Sequence, residues 1–149
     1  MMWTKFTRRA RRAVFFTQEE ASRMGQNDVG PEHLLLGLMR EQDTAASYVL
    51  RQIRIAPQEI RAAVEKASTP DDPRAGRDAQ LKLEAKRAID LAYDETLHLG
   101  QSVINTGHIL LGILREGGIA AQVLQRNGVA LDSARTALRK FDSEGNSEE

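Results

Sequence analysis

The stretch Val29-Gly30-Pro31-Glu32-His33-Leu34-Leu35-Leu36-Gly37-Leu38 recurs in diverged form 75 residues later, as Ile104-Asn105-Thr106-Gly107-His108-Ile109-Leu110-Leu111-Gly112-Ile113. Each copy places one histidine before an apolar run and one glycine inside it. The same offset relates Gly25-Gln26 to Gly100-Gln101, Arg40-Glu41 to Arg115-Glu116, and Ala45-Ala46 to Ala120-Ala121. A gapped pattern of this length indicates two copies of one unit, at about 5–67 and 80–141.

The spacing of apolar residues predicts that each copy is helical. Ala10, Val14, Thr17, Ala21 and Met24 recur at steps of three and four, which places them on one face of an amphipathic helix. The second copy repeats this pattern, with helices expected at about 81–99, 106–116, 119–127 and 132–141. Because no stretch alternates at period two over the length of a strand, the predicted fold is all-α. It consists of two tandem four-helix repeats with pseudo-twofold symmetry, forming one compact domain.

Capping residues mark the ends of these helices. Thr7 is a plausible N-cap for the first helix, and Gly25 occupies the position of a left-handed C-cap. In the first copy Pro31 opens the second helix, Asp43 caps the third and Pro57 opens the fourth. The third helix of the first copy is expected to end differently from its counterpart, since Arg54 stands where the second copy has Gly128.

Two segments lie outside the repeats. Residues 68–79 contain two of the four prolines and few apolar side chains, which predicts an exposed linker. Residues 142–149 form an acidic tail that is expected to be disordered. The whole chain, 1–149, is therefore treated as a single domain.

Composition excludes several classes of function. The 149 residues carry 21 basic and 21 acidic side chains and no cysteine, so thiol nucleophiles and thiolate metal sites are absent. No apolar run reaches the ~18 residues of a membrane span. No P-loop or other catalytic constellation occurs, so we expect no enzymatic activity, no catalytic residue, no metal and no cofactor. The lack of cysteine suits a cytosolic protein.

Repeated polar positions have structural interpretations beside the functional ones. His33 and His108 could ligate a metal, but a hydrogen-bonding role at the start of a helix is favoured. The acidic pairs Glu19-Glu20 and Asp94-Glu95 lie off the apolar face, which predicts a solvated surface rather than paired acid/base catalysis. Glycine in the middle of a helix costs roughly 1 kcal/mol relative to alanine, so Gly37 and Gly112 predict a close helix approach.

The strongest local charge is the arginine cluster, Arg8, Arg9, Arg11 and Arg12. Such a cluster could bind the phosphates of a nucleic acid. The zero net charge and the scarcity of nearby aromatic residues argue against that role, because single charge runs usually remain solvated. Nucleic-acid binding by the Arg8–Arg12 cluster is therefore the alternative function.

The repeated motif resembles the Clp repeat N-terminal domain, which heads AAA+ unfoldases of the ClpC and ClpA type. The residues that carry the resemblance include Phe6-Thr7, Gln18-Glu19-Glu20-Ala21, Val29 to Leu38, and the second copy from Gly107 to Gly117. The resemblance implies a non-catalytic helical module, in the cytoplasm, that docks adaptor and substrate proteins for Clp ATPase and protease subunits. The ATPase modules are missing here, so the chain is either a free-standing domain or a fragment. The Met1-Met2 start favours the first.

The resemblance also implies candidate ligand residues. Some ClpC-type domains bind phosphoarginine at two repeat-related sites, each with a threonine at the start of the first helix and a glutamate in the histidine motif. The first copy matches these positions as Thr7 and Glu32, and Arg8 could attract phosphate. The second copy departs from the pattern, with Lys82 in place of threonine and Gly107 in place of glutamate. The resemblance thus implies one surviving site at most.

Overall fold

The computed structural model describes residues 2–73 and 79–148. Within these residues the chain forms eight α-helices, preceded by a 3₁₀ turn at Met2–Lys5. The helices are α1 (Arg8–Arg23), α2 (Pro31–Leu38), α3 (Ala45–Gln52), α4 (Pro57–Ala67), α5 (Leu83–His98), α6 (Thr106–Glu116), α7 (Ile119–Arg126) and α8 (Leu131–Ser143). The described part contains no strand, only two isolated bridges. The all-α prediction is confirmed.

The two repeats, α1–α4 and α5–α8, are joined crosswise. The Thr7 N–H donates to the Ile104 carbonyl (2.9 Å), and the Lys82 N–H donates to the Val29 carbonyl (2.8 Å). These two bonds are equivalent under the 75-residue offset. The start of each repeat's first helix therefore lies beside the start of the other repeat's second helix, as pseudo-twofold symmetry requires.

One apolar core serves both repeats. Fully buried side chains come from each of them, among them Leu35 and Ile60 in the first and Leu110 and Leu138 in the second. Helix α3 packs against α6 and α8, and α4 packs against α7. Burying an aliphatic side chain of this size stabilises the fold by about 1.5–3 kcal/mol. The shared core holds the junctions between the repeats in place.

The mid-helix glycines are sites of close approach, as predicted. A Cβ on Gly37 would lie 2.5 Å from the Ala13 carbonyl oxygen, and one on Gly112 would lie 2.1 Å from the Ala88 carbonyl oxygen. Any larger residue would force the backbones of α1 and α2, or of α5 and α6, apart.

Several helix ends agree with the predictions made from the sequence, and two do not. Thr7 caps α1 by accepting from the Ala10 N–H (3.0 Å), as predicted. The predicted Asp43 cap is wrong, because Thr44 caps α3 by accepting from the Ser47 N–H (3.1 Å). The third helices also end alike rather than differently. Arg54 has φ 64° and Gly128 has φ 91°, so both occupy the left-handed region that favours glycine.

The segments outside the repeats are more ordered than the sequence suggests. Part of the predicted linker packs on the turn after α1, since the Asp71 N–H donates to the Gly25 carbonyl (2.9 Å). Residues 74–78 of that linker lie outside the described residues. Helix α8 extends to Ser143, beyond its predicted end at 141, and the acidic tail then folds back to place Glu148 against Thr7 and Ala45. The expectation that this tail is disordered is therefore wrong for residues 142–148.

Candidate binding sites at the repeat junctions

Two equivalent junctions form where the repeats cross. We call them the α1–α6 junction, which contains Thr7 and Asn105–Gly107, and the α2–α5 junction, which contains Gly30–His33 and Lys82. The backbone bonds at Ile104 and Val29 hold each junction together. Both combine the starts of two helices, where backbone N–H groups lack intrahelical partners.

The crossing separates the two residues that the sequence places in one site. Thr7 lies at the α1–α6 junction with Gly107, whereas Glu32 lies at the α2–α5 junction with Lys82. The first helix of one repeat meets the motif of the other, so Thr7 and Glu32 do not share a junction, and their roles in ligand binding remain predictions. Each junction keeps one of the two expected residues.

At the α1–α6 junction a carboxylate from the tail is already bound. The Oε1 atom of Glu148 accepts from the Thr7 hydroxyl and from the Thr106 N–H, both at 2.8 Å. Its Oε2 atom accepts from the Thr106 hydroxyl (2.6 Å) and the Ala45 N–H (2.8 Å). Thr106 and Ala45 are the first residues of α6 and α3, and Thr7 caps α1. Three helix N-termini therefore converge on one anion.

The two threonine hydroxyls are oriented toward this anion by the backbone. The Thr7 oxygen accepts from the Ala10 N–H (3.0 Å), and the Thr106 oxygen accepts from the Ala46 N–H (2.9 Å). Because a lone pair of each oxygen is engaged, each hydroxyl proton is available for the carboxylate. Both threonines are buried, so the hydrogen bonds to the charged group are partly shielded from water.

The α2–α5 junction holds a carboxylate of its own, from Glu32. The Glu32 side chain is only 9% exposed, and its Oε1 atom has no hydrogen-bond partner within the described part of the chain. That oxygen folds back over Gly30, where an added Cβ would lie 1.9 Å from it. Lys82 stands at the N-cap of α5 without capping it through its side chain. A buried carboxylate with a free oxygen is suited to a cationic group such as guanidinium.

The two motif histidines hold the loops that form the junctions. The Nδ1 atom of His33 accepts from the Gly30 N–H, and that of His108 accepts from the Asn105 N–H, both at 2.9 Å. Burial lowers the pKa of both imidazoles to about 4, and the Lys82 charge adds to this effect at His33. Both are therefore neutral at pH 7, in the hydrogen-bonding role that the sequence favours. No group of three or more metal-binding side chains gathers in residues 2–73 and 79–148.

The prediction that both members of each acidic pair are solvated is wrong for Glu20 and Glu95. Both are buried, and each accepts hydrogen bonds from two arginines. The pairs are Arg40 and Arg61 on Glu20, and Arg115 and Arg135 on Glu95. Of their neighbours in sequence, Glu19 is exposed and Asp94 is half-buried. These two clusters join helices within each repeat.

The arginine cluster on α1 is partly neutralised. Arg9 forms a bidentate contact with Asp43 and a 2.7 Å bond to Glu41, and Arg12 lies 3.6 Å from Glu41. Arg8 and Arg11 are exposed. Because two of the four guanidiniums face acidic partners, this surface is a weaker phosphate-binding patch than its sequence suggests.

Sequence reasoning missed Thr106, Ala45 and Glu148 at the α1–α6 junction. Two signals were available. Thr106 opens α6 where the first copy has Pro31, so the second copy gains both a hydroxyl and an N–H. Glu148 follows Gly145, a residue type that allows the chain to reverse after a helix. Neither signal identifies the partner, which depends on the crossed packing.

The crossed repeats and their histidine-supported junctions define a helical module of the Clp type. The chain matches the Clp repeat (R) N-terminal domain family over residues 5–126 and 85–149, and it belongs to this family. The second matched region begins within α5, in the second repeat. None of the helices in the described residues is long and apolar enough to span a membrane.

Among individual proteins, the chain is 40% identical over 142 residues to the negative regulator of genetic competence ClpC/MecB of Bacillus subtilis. It is 41% identical over 137 residues to the chaperone protein ClpB of Oceanobacillus iheyensis. Each alignment covers 91% of this chain but only 17% of the relative. The chain therefore spans about a sixth of the length of these relatives.

Solved structures share the fold. The N-terminal domain of ClpD from Arabidopsis thaliana superposes with a TM-score of 0.76 at 26% identity, covering 96% of this chain and 97% of that one. The N-domain of ClpV from Vibrio cholerae gives a TM-score of 0.80 at 14% identity, covering 98% and 89%. A ClpV N-domain in complex with a VipB peptide gives 0.73 at 17% identity, covering 98% and 91%.

Proposed function

We propose that this domain is a non-catalytic recognition module of a Clp unfoldase system that docks adaptor or substrate proteins. Family membership is the observation that carries the proposal. The ClpV N-domain bound to a VipB peptide supports peptide docking on this fold. The ATPase or protease subunits of a Clp machine are the proposed partners, in the cytoplasm. A copy of this domain that occurs apart from an ATPase would act as an adaptor or as a competitor.

An apolar cavity beside the α2–α5 junction supports docking of a polypeptide. It has a volume of about 310 Å³ and is lined in part by Val14, Phe15, Val29 and Leu81. Phe15 is 70% exposed, which is unusual for a large aromatic side chain. Exposed apolar residues beside a polar site are typical of protein interaction surfaces.

The first experiment is a capture assay with purified Clp ATPase, adaptors and model substrates. We expect the wild-type domain to bind at least one of them, and Phe15→Ala to weaken that binding. Leu97→Ala is the matched control, because Leu97 is also an exposed apolar residue on a helix but lies outside the cavity lining. Absence of binding to every Clp component at micromolar concentration would contradict the proposal.

The finer proposal is that the α2–α5 junction binds phosphoarginine-tagged protein. Glu32 would pair with the guanidinium through its unpartnered oxygen, and Lys82 would take the place of threonine as the phosphate-binding group. This replaces the site predicted at Thr7, Arg8 and Glu32, because Thr7 lies at the other junction.

Calorimetry with free phosphoarginine tests this assignment. Loss of a charge-assisted pair costs about 1.5–3 kcal/mol, so Glu32→Gln should weaken binding by roughly 10- to 100-fold. Glu84→Gln is the control, because this substitution also removes one negative charge, at an exposed position two residues after Lys82. Equal affinity in wild type and Glu32→Gln would remove Glu32 from the site.

A further inference from the structure

We infer that the segment Glu144–Glu148 is a built-in occupant of the α1–α6 junction, and that an acidic ligand must displace it to bind there. The inference starts from the four hydrogen bonds that surround the Glu148 carboxylate, at 2.6–2.8 Å. All four donors belong to segments remote in sequence. A carboxylate held in this way identifies the ligand chemistry of the junction as an oxyanion.

The equivalent α2–α5 junction lacks these donors. Pro31 stands where α6 begins with Thr106, so that position has neither an N–H nor a hydroxyl. Lys82 stands where Thr7 provides its hydroxyl. Three of the four donors are therefore specific to the α1–α6 junction, and they are not a general consequence of the repeated fold.

The route of the tail is fixed by the end of α8. The Asn146 N–H donates to the Phe141 carbonyl (3.3 Å) and the Gly145 N–H donates to the Asp142 carbonyl (3.1 Å), the bond pattern of a Schellman cap. Gly145 has φ 77°, which turns the chain back toward α1 and α3. The Tyr48 hydroxyl donates to Glu144 Oε1 (2.6 Å) and holds the turn on α3.

The occupant can leave without disturbing the core. Asn146 and Ser147 are exposed and Glu148 is half-buried, so undocking uncovers little apolar surface. A cavity of about 640 Å³ adjoins Glu148 and is lined by Thr7, Asn105 and the tail itself. An oxyanion on a partner polypeptide could enter through this cavity as the carboxylate departs. That the incoming group belongs to a Clp substrate or adaptor rests on the proposed function.

Amide NMR tests the contact without any ligand. We expect Glu148→Gln to shift the backbone amide resonances of Ala45 and Thr106, because both donate to the lost carboxylate. Asp132→Asn is the control, as it removes one negative charge from an exposed position of α8 that lies outside the tail and does not contact these amides. Unchanged Ala45 and Thr106 resonances in Glu148→Gln would overturn the inference.

Titration with inorganic phosphate then tests displacement. If the tail is docked about nine-tenths of the time, releasing it should raise phosphate affinity by about tenfold in Glu148→Gln, read at the Thr106 amide. Equal phosphate affinity in wild type and Glu148→Gln would refute displacement. If the amides shift but neither protein binds phosphate, the contact stands and the ligand assignment is wrong. Failure of the separate Clp capture assay would instead contradict the proposed function.

Discussion

The buried carboxylate of Glu95 should be a main electrostatic support of the second repeat, and replacing it with glutamine tests this. Glu95 is 1% exposed, and it accepts from Arg135 Nη2 (2.8 Å), Arg135 Nε (2.9 Å) and Arg115 Nη1 (3.0 Å). Glutamine has nearly the same shape but offers one acceptor oxygen and no charge. It leaves two guanidiniums without their counter-charge.

The expected cost follows from burial. Removing one member of a buried ion pair costs about 3–5 kcal/mol. Here the arginine side chains are 25% and 29% exposed, so water can solvate them after the change. We therefore expect a loss at or below the lower limit of this range, about 2–3 kcal/mol. For a domain of this size, that corresponds to a fall in Tm of roughly 5–10 °C.

The pH dependence provides a second measurement. The Arg135 hydrogen bond lowers the pKa of Glu95 below its ordinary value of 4.5, in spite of the opposing effect of burial. A carboxyl with a depressed folded-state pKa stabilises the fold fully above its unfolded pKa, and this stability is lost as the pH falls through the folded pKa. The stability difference between wild type and Glu95→Gln should therefore shrink below about pH 4.

Thermal and urea unfolding of two further variants provide the comparison. Asp132→Asn removes a 99% exposed charge that lies 3.9 Å from Arg135, and it should change stability by less than about 0.5 kcal/mol. Glu20→Gln should match Glu95→Gln, because Glu20 is equally buried between two arginines. The reasoning is refuted if the Tm of Glu95→Gln lies within 2 °C of that of Asp132→Asn. It is also refuted if the stability difference between wild type and Glu95→Gln is the same at all pH values.

Three other changes should have measurable effects. Gly112→Ala should destabilise the fold by about 1–3 kcal/mol in urea unfolding, because the added Cβ would lie 2.1 Å from a backbone carbonyl oxygen of α5. A loss well below 1 kcal/mol would contradict the close approach of the two helices. Arg54→Gly should stabilise the protein by about 0.5–1 kcal/mol, since φ 64° strains arginine, and any loss of stability would argue against that strain. Burial lowers the pKa of His33 and His108 from 6.5 to about 4, so their contribution to stability should be complete above pH 6.5 and should decline as the pH falls toward 4. Their imidazole NMR resonances should show no titration down to about pH 5, and a midpoint near 6.5 would contradict their burial.

Much of the fold is predictable from the sequence because repetition adds to periodicity. The helix bounds, the Thr7 cap and the glycine contacts at Gly37 and Gly112 all follow from local rules applied twice. Local rules fail where a second element supplies the partner. Glu20 lies three residues after Thr17, beside the apolar face of α1, and only its charge assigns it to the surface. Arg40 and Arg61 reverse that assignment, because they reach Glu20 from the turn after α2 and from α4.

The binding sites were less predictable from the sequence. A comparison with a family motif assigns both residues of a site to the same copy, whereas the twofold packing brings residues of different copies together. Thr7 and Glu32 belong to the same copy and therefore lie at different junctions. The same logic explains why Glu148 was missed. A tail residue has no counterpart in the other copy, so no internal comparison can place it.

The two junctions share their supports but differ in their ligand groups. In each junction the motif histidine accepts a hydrogen bond from a loop N–H group. Each repeat also has a buried glutamate between two arginines. The groups that would touch a ligand differ at each equivalent position: threonine or lysine at 7 and 82, glutamate or glycine at 32 and 107, proline or threonine at 31 and 106. One junction thereby presents a carboxylate and the other presents donors for one. Such a domain is suited to bind two different groups of a partner, a guanidinium paired with Glu32 at the α2–α5 junction and an oxyanion at the α1–α6 junction. The tail restricts access to the second junction alone.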